Sequence, residues 1–168
     1  MCAVVVFTYS LLQKEQGNEA YQELEKVVVN FVYDGDTVQV KREDGSLQKV
    51  RLLGVDTPEL DYEDKNHECM AFDASVFSRE QVLHKEVSLY KDPLAKDKDQ
   101  FNRILRHILM EDGELLEEKL LVNGLAQVYE NENFERKEYF RELEQYARDR
   151  KIGIFSPACD NNGKLAKK

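Results

Sequence analysis

Apolar residues first gather in the run Val27-Val28-Val29-Asn30-Phe31-Val32-Tyr33, β-branched and aromatic, which stops at the turn dipeptide Asp34-Gly35. The pattern predicts a strand and a tight turn. Residues 37–41 alternate, with Val38 and Val40 on one face; Glu43-Asp44-Gly45-Ser46 makes a hairpin, and residues 47–55 return as a third strand. In residues 69–83 the period lengthens, and Cys69, Phe72, Val76 and Leu83 at helical spacing predict a helix that packs on this meander. Residues 86–91 read as a fourth strand. Residues 92–102 are polar, carry Pro93, Lys96 and Lys98, and read as an exposed loop before a fifth strand over residues 103–110. Leu115, Leu116, Leu120 and Leu121 predict a short helix stopping at Asn123-Gly124. A longer helix over residues 134–150 is expected to bury Phe140, Leu143, Tyr146 and Ala147.

The order β-β-β-α-β-β-α-α is an α+β pattern that fits a small closed barrel of five strands flanked by three helices, because closure buries the edges of antiparallel strands. A chain of 168 residues suits one domain. Residues 26–158 form that domain, preceded by a segment over residues 1–25 and followed by a polar tail over residues 159–168. Within the first segment, residues 3–12 are almost all apolar yet too short to span a bilayer. They read either as the end of a truncated export signal or anchor, or as a first buried strand.

Composition changes the picture in two ways. With 42% hydrophobic and 34% charged residues the chain can pack a core under a solvated surface. A net charge of -9, however, is the wrong sign for broad phosphate neutralisation, so a polyanion must meet a local positive site or a bound cation. That favours an enzyme touching few phosphates over a coating protein. The three cysteines, Cys2, Cys69 and Cys159, have no spacing suited to zinc.

Two carboxylates, Asp36 and Asp56, fall just past the first turn and at the end of the third strand, so adjacent strands could bring them to one barrel rim. Paired carboxylates on loops suit a hard cation. Calcium accepts oxygen ligands in irregular geometry, and Pro58 biases Thr57 towards an extended backbone that would fix its carbonyl. Taken singly, Asp34, Asp36 and Asp56 also read as ordinary turn residues. Arg51 and Arg103 stand within or at the edge of apolar runs, where a guanidinium needs an anionic partner. That partner is either one phosphate shared by both forks or a pair of internal salt bridges.

The runs Tyr33-Asp34-Gly35-Asp36-Thr37 and Arg51-Leu52-Leu53-Gly54-Val55-Asp56-Thr57-Pro58-Glu59 resemble the two signature segments of the staphylococcal nuclease (thermonuclease) family. Glu68-Cys69 through Ala74-Ser75 resembles its first helix, and Asp99-Gln100-Phe101-Asn102-Arg103 the loop that delivers its second arginine. Gly124-Leu125-Ala126-Gln127-Val128-Tyr129 and Gly153-Ile154-Phe155-Ser156 resemble its later landmarks, so the likeness covers roughly residues 27–157. The resemblance implies an OB-fold barrel and a calcium-dependent nuclease that cuts DNA and RNA, with single-stranded or locally open substrate preferred. It implies calcium (Ca2+) on Asp36, Asp56 and the Thr57 carbonyl, and Arg51 and Arg103 on the scissile phosphate. Glu59 would orient or deprotonate the attacking water; read without the motif, it is a surface acid in a loop. Asp34 is a turn or supporting residue rather than a ligand.

Phe101 stands where the family commonly has a tyrosine, which removes a hydroxyl contact, and residues 130–135 bring several acids close after Tyr129. Tyr129 reads either as a base-stacking contact or as core, and Lys98 as a substrate contact or a solvated charge; Lys49, Lys96, Lys98 and Arg106 would make a positive rim. Cys69 and Cys159 suggest a disulfide, as exported relatives often carry cysteines at similar places, the alternative being two buried thiols. A secreted or cell-envelope location and a monomer follow as expectations. His67, His84 and His107 match no ligand pattern and receive no role. The competing reading is a non-catalytic OB-fold module that binds nucleic acid or a protein ligand.

Overall fold

A computed structural model describes residues 24–61 and 67–159. The expectations for residues 3–12 and for most of the terminal tail lie outside the described residues. Strands β1 (Leu24–Val32), β2 (Thr37–Lys41), β3 (Leu47–Leu52), β5 (Glu86–Tyr90) and β6 (Ile104–Leu109) close into a barrel in the order β1-β2-β3-β6-β5. β1 pairs antiparallel with both β2 and β5, which removes the free edges, while β3 and β6 run parallel with Arg51 opposite Leu105. The alternating valines meet inside: Val27, Val29, Val32, Val38, Val40, Val50 and Leu52 are all buried.

The expected third strand over residues 47–55 is two elements. It breaks after Leu52, and β4 (Val55–Asp56) pairs instead with β7 (Gln127–Val128) in a separate small sheet. Gly54 causes the break. Its φ of +78° suits glycine, and a methyl group there would stand 2.5 Å from Phe134 Cζ, so the chain can turn here only without a side chain. This kink carries Asp56 out of the barrel wall towards the rim.

Helix α1 (Ala71–Val82) buries Ala71, Ala74, Ser75, Ser78 and Val82, whereas Phe72, expected to pack on the barrel, is 68% exposed. The correction has a steric reason: small side chains let the helix approach closely enough for Ser78 Oγ to donate to the Gly35 carbonyl at 2.6 Å. A phenyl ring on that face would hold it off. Helices α2 (Leu116–Val122) and α3 (Lys137–Asp149) pack together, burying Leu116, Leu120, Leu121, Phe140 and Ala147. Tyr146, assigned to the buried stripe of α3, is 42% exposed and lies under the Arg150 guanidinium at 3.7 Å. A single 3-10 turn, Gly153–Phe155, closes the described chain, and Cys69 and Cys159 are joined by a disulfide with a Cα separation of 5.6 Å.

Candidate functional site

The site begins at the turn between β1 and β2. Asp34 Oδ1 accepts the N–H groups of Asp36 at 3.0 Å and Thr37 at 2.7 Å, a side chain replacing backbone partners in a sharp bend. Gly35 lies so close to Thr57 that a methyl group would stand 2.7 Å from its Oγ1. The bend therefore seats against the Asp56–Thr57 segment, and Asp36 points inward. Its Oδ2 accepts Thr57 N–H at 2.8 Å and Thr57 Oγ1 at 2.9 Å, and its Oδ1 accepts Thr37 Oγ1 at 3.0 Å.

Arg51 is the hub of the cluster, with a side chain only 12% exposed. Its Nε lies 3.2 Å from Asp36 Oδ1, its Nη2 donates to Asp56 Oδ1 at 2.9 Å, and its Nη1 donates to the carbonyls of Leu52 at 2.9 Å and Val55 at 2.7 Å. Those carbonyls are oriented by the break at Gly54. Arg103 approaches from β6: Nη1 donates to Thr37 Oγ1 at 3.3 Å, while Nε is held by Asp99 Oδ2 at 2.6 Å. Arg103, Thr37, Asp36, Arg51 and Asp56 thus form one continuous chain of contacts. Both arginines also stand in internal ion pairs, the alternative partner that the sequence allowed.

Negative charge is crowded here. Asp34 is pushed up to about 7, first by burial and then by the Asp36 charge beside it. Burial likewise raises Asp56, against the pull of Arg51 and with the push of Asp36. Glu59, on the solvent-exposed side, is raised by partial burial and then by the charges of Asp36 and Asp56. Among the described residues no three His, Cys, Asp or Glu side chains form a metal-holding group. The oxygen donors brought together are the two aspartates and the Thr57 segment.

The other expected contacts sit further out. Lys98 donates to Asn102 Oδ1 at 3.1 Å in the loop before Arg103, and half-buried Tyr129 follows β7 with its N–H on the Gly54 carbonyl at 2.9 Å. Neither joins the cluster. Phe101 is 68% exposed with the Arg103 guanidinium over its ring at 5.4 Å. Of the acids after Tyr129, Glu130 pairs with Arg141 and Lys137, and Glu132 accepts the Gly54 N–H at 2.8 Å.

Sequence reasoning missed three supports. Thr37, inside the first signature run, bridges Asp36 and Arg103. Glu68 clasps Glu59, accepting its N–H at 2.9 Å and donating its own N–H to the Glu59 carbonyl at 3.2 Å. Ser78 fixes Gly35 from α1. Thr37 was visible in the motif; Glu68 and Ser78 carried no local signal, because their partners are remote in sequence.

A family model described as Staphylococcal nuclease homologue matches residues 49–157, more than half of the chain. An uncharacterized protein of Methanocaldococcus jannaschii is 33% identical over 144 residues, covering 74% of this chain and 69% of its own length. The thermonuclease of Staphylococcus hyicus is 31% identical over 126 residues, covering 74% and 72%. That of Staphylococcus intermedius is 34% identical over 102 residues, covering 61% and 58%. The two signature segments, the barrel and the extent of these matches agree: the chain belongs to the staphylococcal nuclease family.

Proposed function

We propose that this protein, of nuclease type by its family, hydrolyses phosphodiester bonds in DNA and RNA in a calcium-dependent reaction. The observation that carries the reading is the contact chain from Arg103 through Thr37 and Asp36 to Arg51 and Asp56, which gathers two guanidinium groups and two carboxylates at one rim. The donor set fits a hard cation: Asp36, Asp56 and the Thr57 carbonyl offer oxygen only. Calcium held there would polarise the phosphate and make water easier to deprotonate.

The remaining chemistry belongs to the side chains. Arg51 and Arg103 donate to the non-bridging phosphate oxygens as charge builds on them, a task for which planar forks are well shaped. Arg51 is preorganised by its two carbonyl contacts, which hold the guanidinium plane whatever the carboxylates do. Glu59, held beside the cluster by its backbone contacts with Glu68, takes the proton from the attacking water. The Cys69–Cys159 disulfide suits an oxidising compartment, so a secreted or envelope-associated monomer is the proposed setting. Among the described residues no helix is long and apolar enough to cross a membrane.

Calorimetric titration with calcium tests the cation site. Asp36→Asn is expected to weaken calcium binding at least about tenfold, or ~1.4 kcal/mol. Unchanged affinity in the variant would reject Asp36 as a ligand.

A further inference from the structure

The outer faces of β2 and β3 differ in charge from the chain as a whole. β2 and β3 carry Lys41, Lys49 and Arg51 and no acidic residue, in a protein of net charge -9. Register places Phe31 opposite Gln39 and Gln39 opposite Lys49, so these three residues form one row across three strands. The next row sets Thr37 opposite Arg51. Lys49 therefore stands two residues from Arg51 on the same face, roughly 7 Å along the strand.

Local structure holds an aromatic pair in this row. The register of β1 slips between Val29 and Phe31, and the Phe31 ring faces out, 48% exposed. Phe31 meets Tyr33 edge to face with centroids 5.0 Å apart, and Lys49 Nζ lies 4.2 Å over the Tyr33 ring. Gln39 Nε2 reaches the Tyr33 hydroxyl at 3.3 Å, and Gln39 Oε1 accepts from Asn30 Nδ2 at 2.9 Å. The rings are positioned by their neighbours while about half of Phe31 remains open to solvent.

An exposed ring beside a cation, continuous with two arginines, has the chemistry of a single-stranded nucleic-acid track: bases stack on the aromatic face and the backbone follows the positive charge. A duplex keeps its base faces covered and offers nothing to Phe31. We propose that Phe31, Tyr33 and Lys49 form a subsite for the nucleotide next to the scissile phosphate, on a single strand that runs from this row onto Arg51. The inference rests on the nuclease reading and adds to it the residues that would seat a nucleotide beside the scissile phosphate. Such a track also explains how an acidic protein can hold a polyanion through few phosphate contacts.

The test uses the full chain and a fluorescent oligothymidylate about ten nucleotides long, a length within the range one OB-fold spans. Binding is followed by anisotropy in chelator, and cleavage separately in calcium. Phe31→Ala is expected to weaken binding about tenfold, within the range for loss of one stacked base, and Phe31→Trp to restore it. Lys49→Gln is expected to lower the slope of log affinity against log salt by roughly 0.7. Tyr146→Ala, on the solvent face of α3, serves as the control that binds like wild type. Affinity unchanged in Phe31→Ala would overturn the subsite, as would self-association of the wild-type chain that Phe31→Ala abolishes without altering oligonucleotide binding. A wild type that binds through Phe31 but never cleaves would instead refute the nuclease reading and leave the track standing; one that neither binds nor cleaves would end both.

Discussion

Raising the pH from 6.5 to 9 should remove a large part of this protein's stability, because of a buried histidine outside the contact chain of the site. His107 on β6 has no exposed side-chain surface. Its Nδ1 lies 2.9 Å from Glu117 Oε1 on α2, and its Nε2 lies 3.7 Å from Asp92 Oδ2, an ion-pair distance too long for a hydrogen bond. The ring stacks on Tyr90 at 5.8 Å and meets Phe134 and Phe140 edge on. Burial alone would lower its pKa; the two carboxylates outweigh burial and raise it from 6.5 to about 9. Asp92 also accepts the N–H groups of Leu94 and Glu135, so the pair ties the loop before Arg103 to the segment before α3.

For a group whose folded-state pKa is raised, stability is fully present below the unfolded value and is lost as the pH climbs through the folded one. The difference between 6.5 and about 9 corresponds to roughly 3 kcal/mol, lost over that window. The assay is the urea midpoint measured at half-unit intervals from pH 6 to 10. Glu117→Gln, which keeps a hydrogen-bonding partner but removes one charge, should start its decline closer to pH 6.5 and lose less in total. A wild-type midpoint that is flat from pH 6.5 to 9, or that runs parallel to the variant, would refute the reasoning.

Two further predictions follow from the geometry. Reducing the Cys69–Cys159 bridge, which spans 90 residues of sequence, should lower unfolding free energy by about 4–5 kcal/mol in the chain-entropy model; coincident urea midpoints with and without dithiol reductant would contradict it. Arg51→Lys should lower kcat about 100-fold or more, since an ammonium cannot keep the two carbonyl contacts and still present a fork to phosphate; a loss of less than about fivefold in steady-state cleavage would remove Arg51 from the reaction.

The parts of the fold that were legible are those where one residue's neighbours lie close in sequence. Val38 and Val40 announce β2 by alternation, and Asp34-Gly35 announces the bend that presents Asp36. The break at Gly54 was hidden, because Leu52-Leu53-Gly54-Val55 reads as one apolar run and only the approach of Phe134, eighty residues on, forbids a side chain there. The face of α1 was misread for a related reason: periodicity weights Phe72 and Val76, while close approach to the barrel selects Ala74, Ser75 and Ser78. The parallel pairing of β3 with β6, which brings Arg103, the residue before β6, towards the strand that carries Arg51, left no pattern at all. His107 could have been suspected, since a histidine inside Ile104–Leu109 needs partners, but Asp92 and Glu117 are not identifiable as those partners without the fold.

The central claim is that this rim hydrolyses nucleic acid with Glu59 as the base. Its most direct test is cleavage of single-stranded DNA by purified protein, with calcium and then with chelator, beside Glu59→Gln. The account predicts cleavage by the wild type that stops in chelator, and a fall in kcat of about 100-fold or more in the variant, the scale of general-base loss. Full activity in Glu59→Gln would contradict the assignment of the base, and a wild type that binds DNA without cutting it in calcium would contradict the nuclease itself.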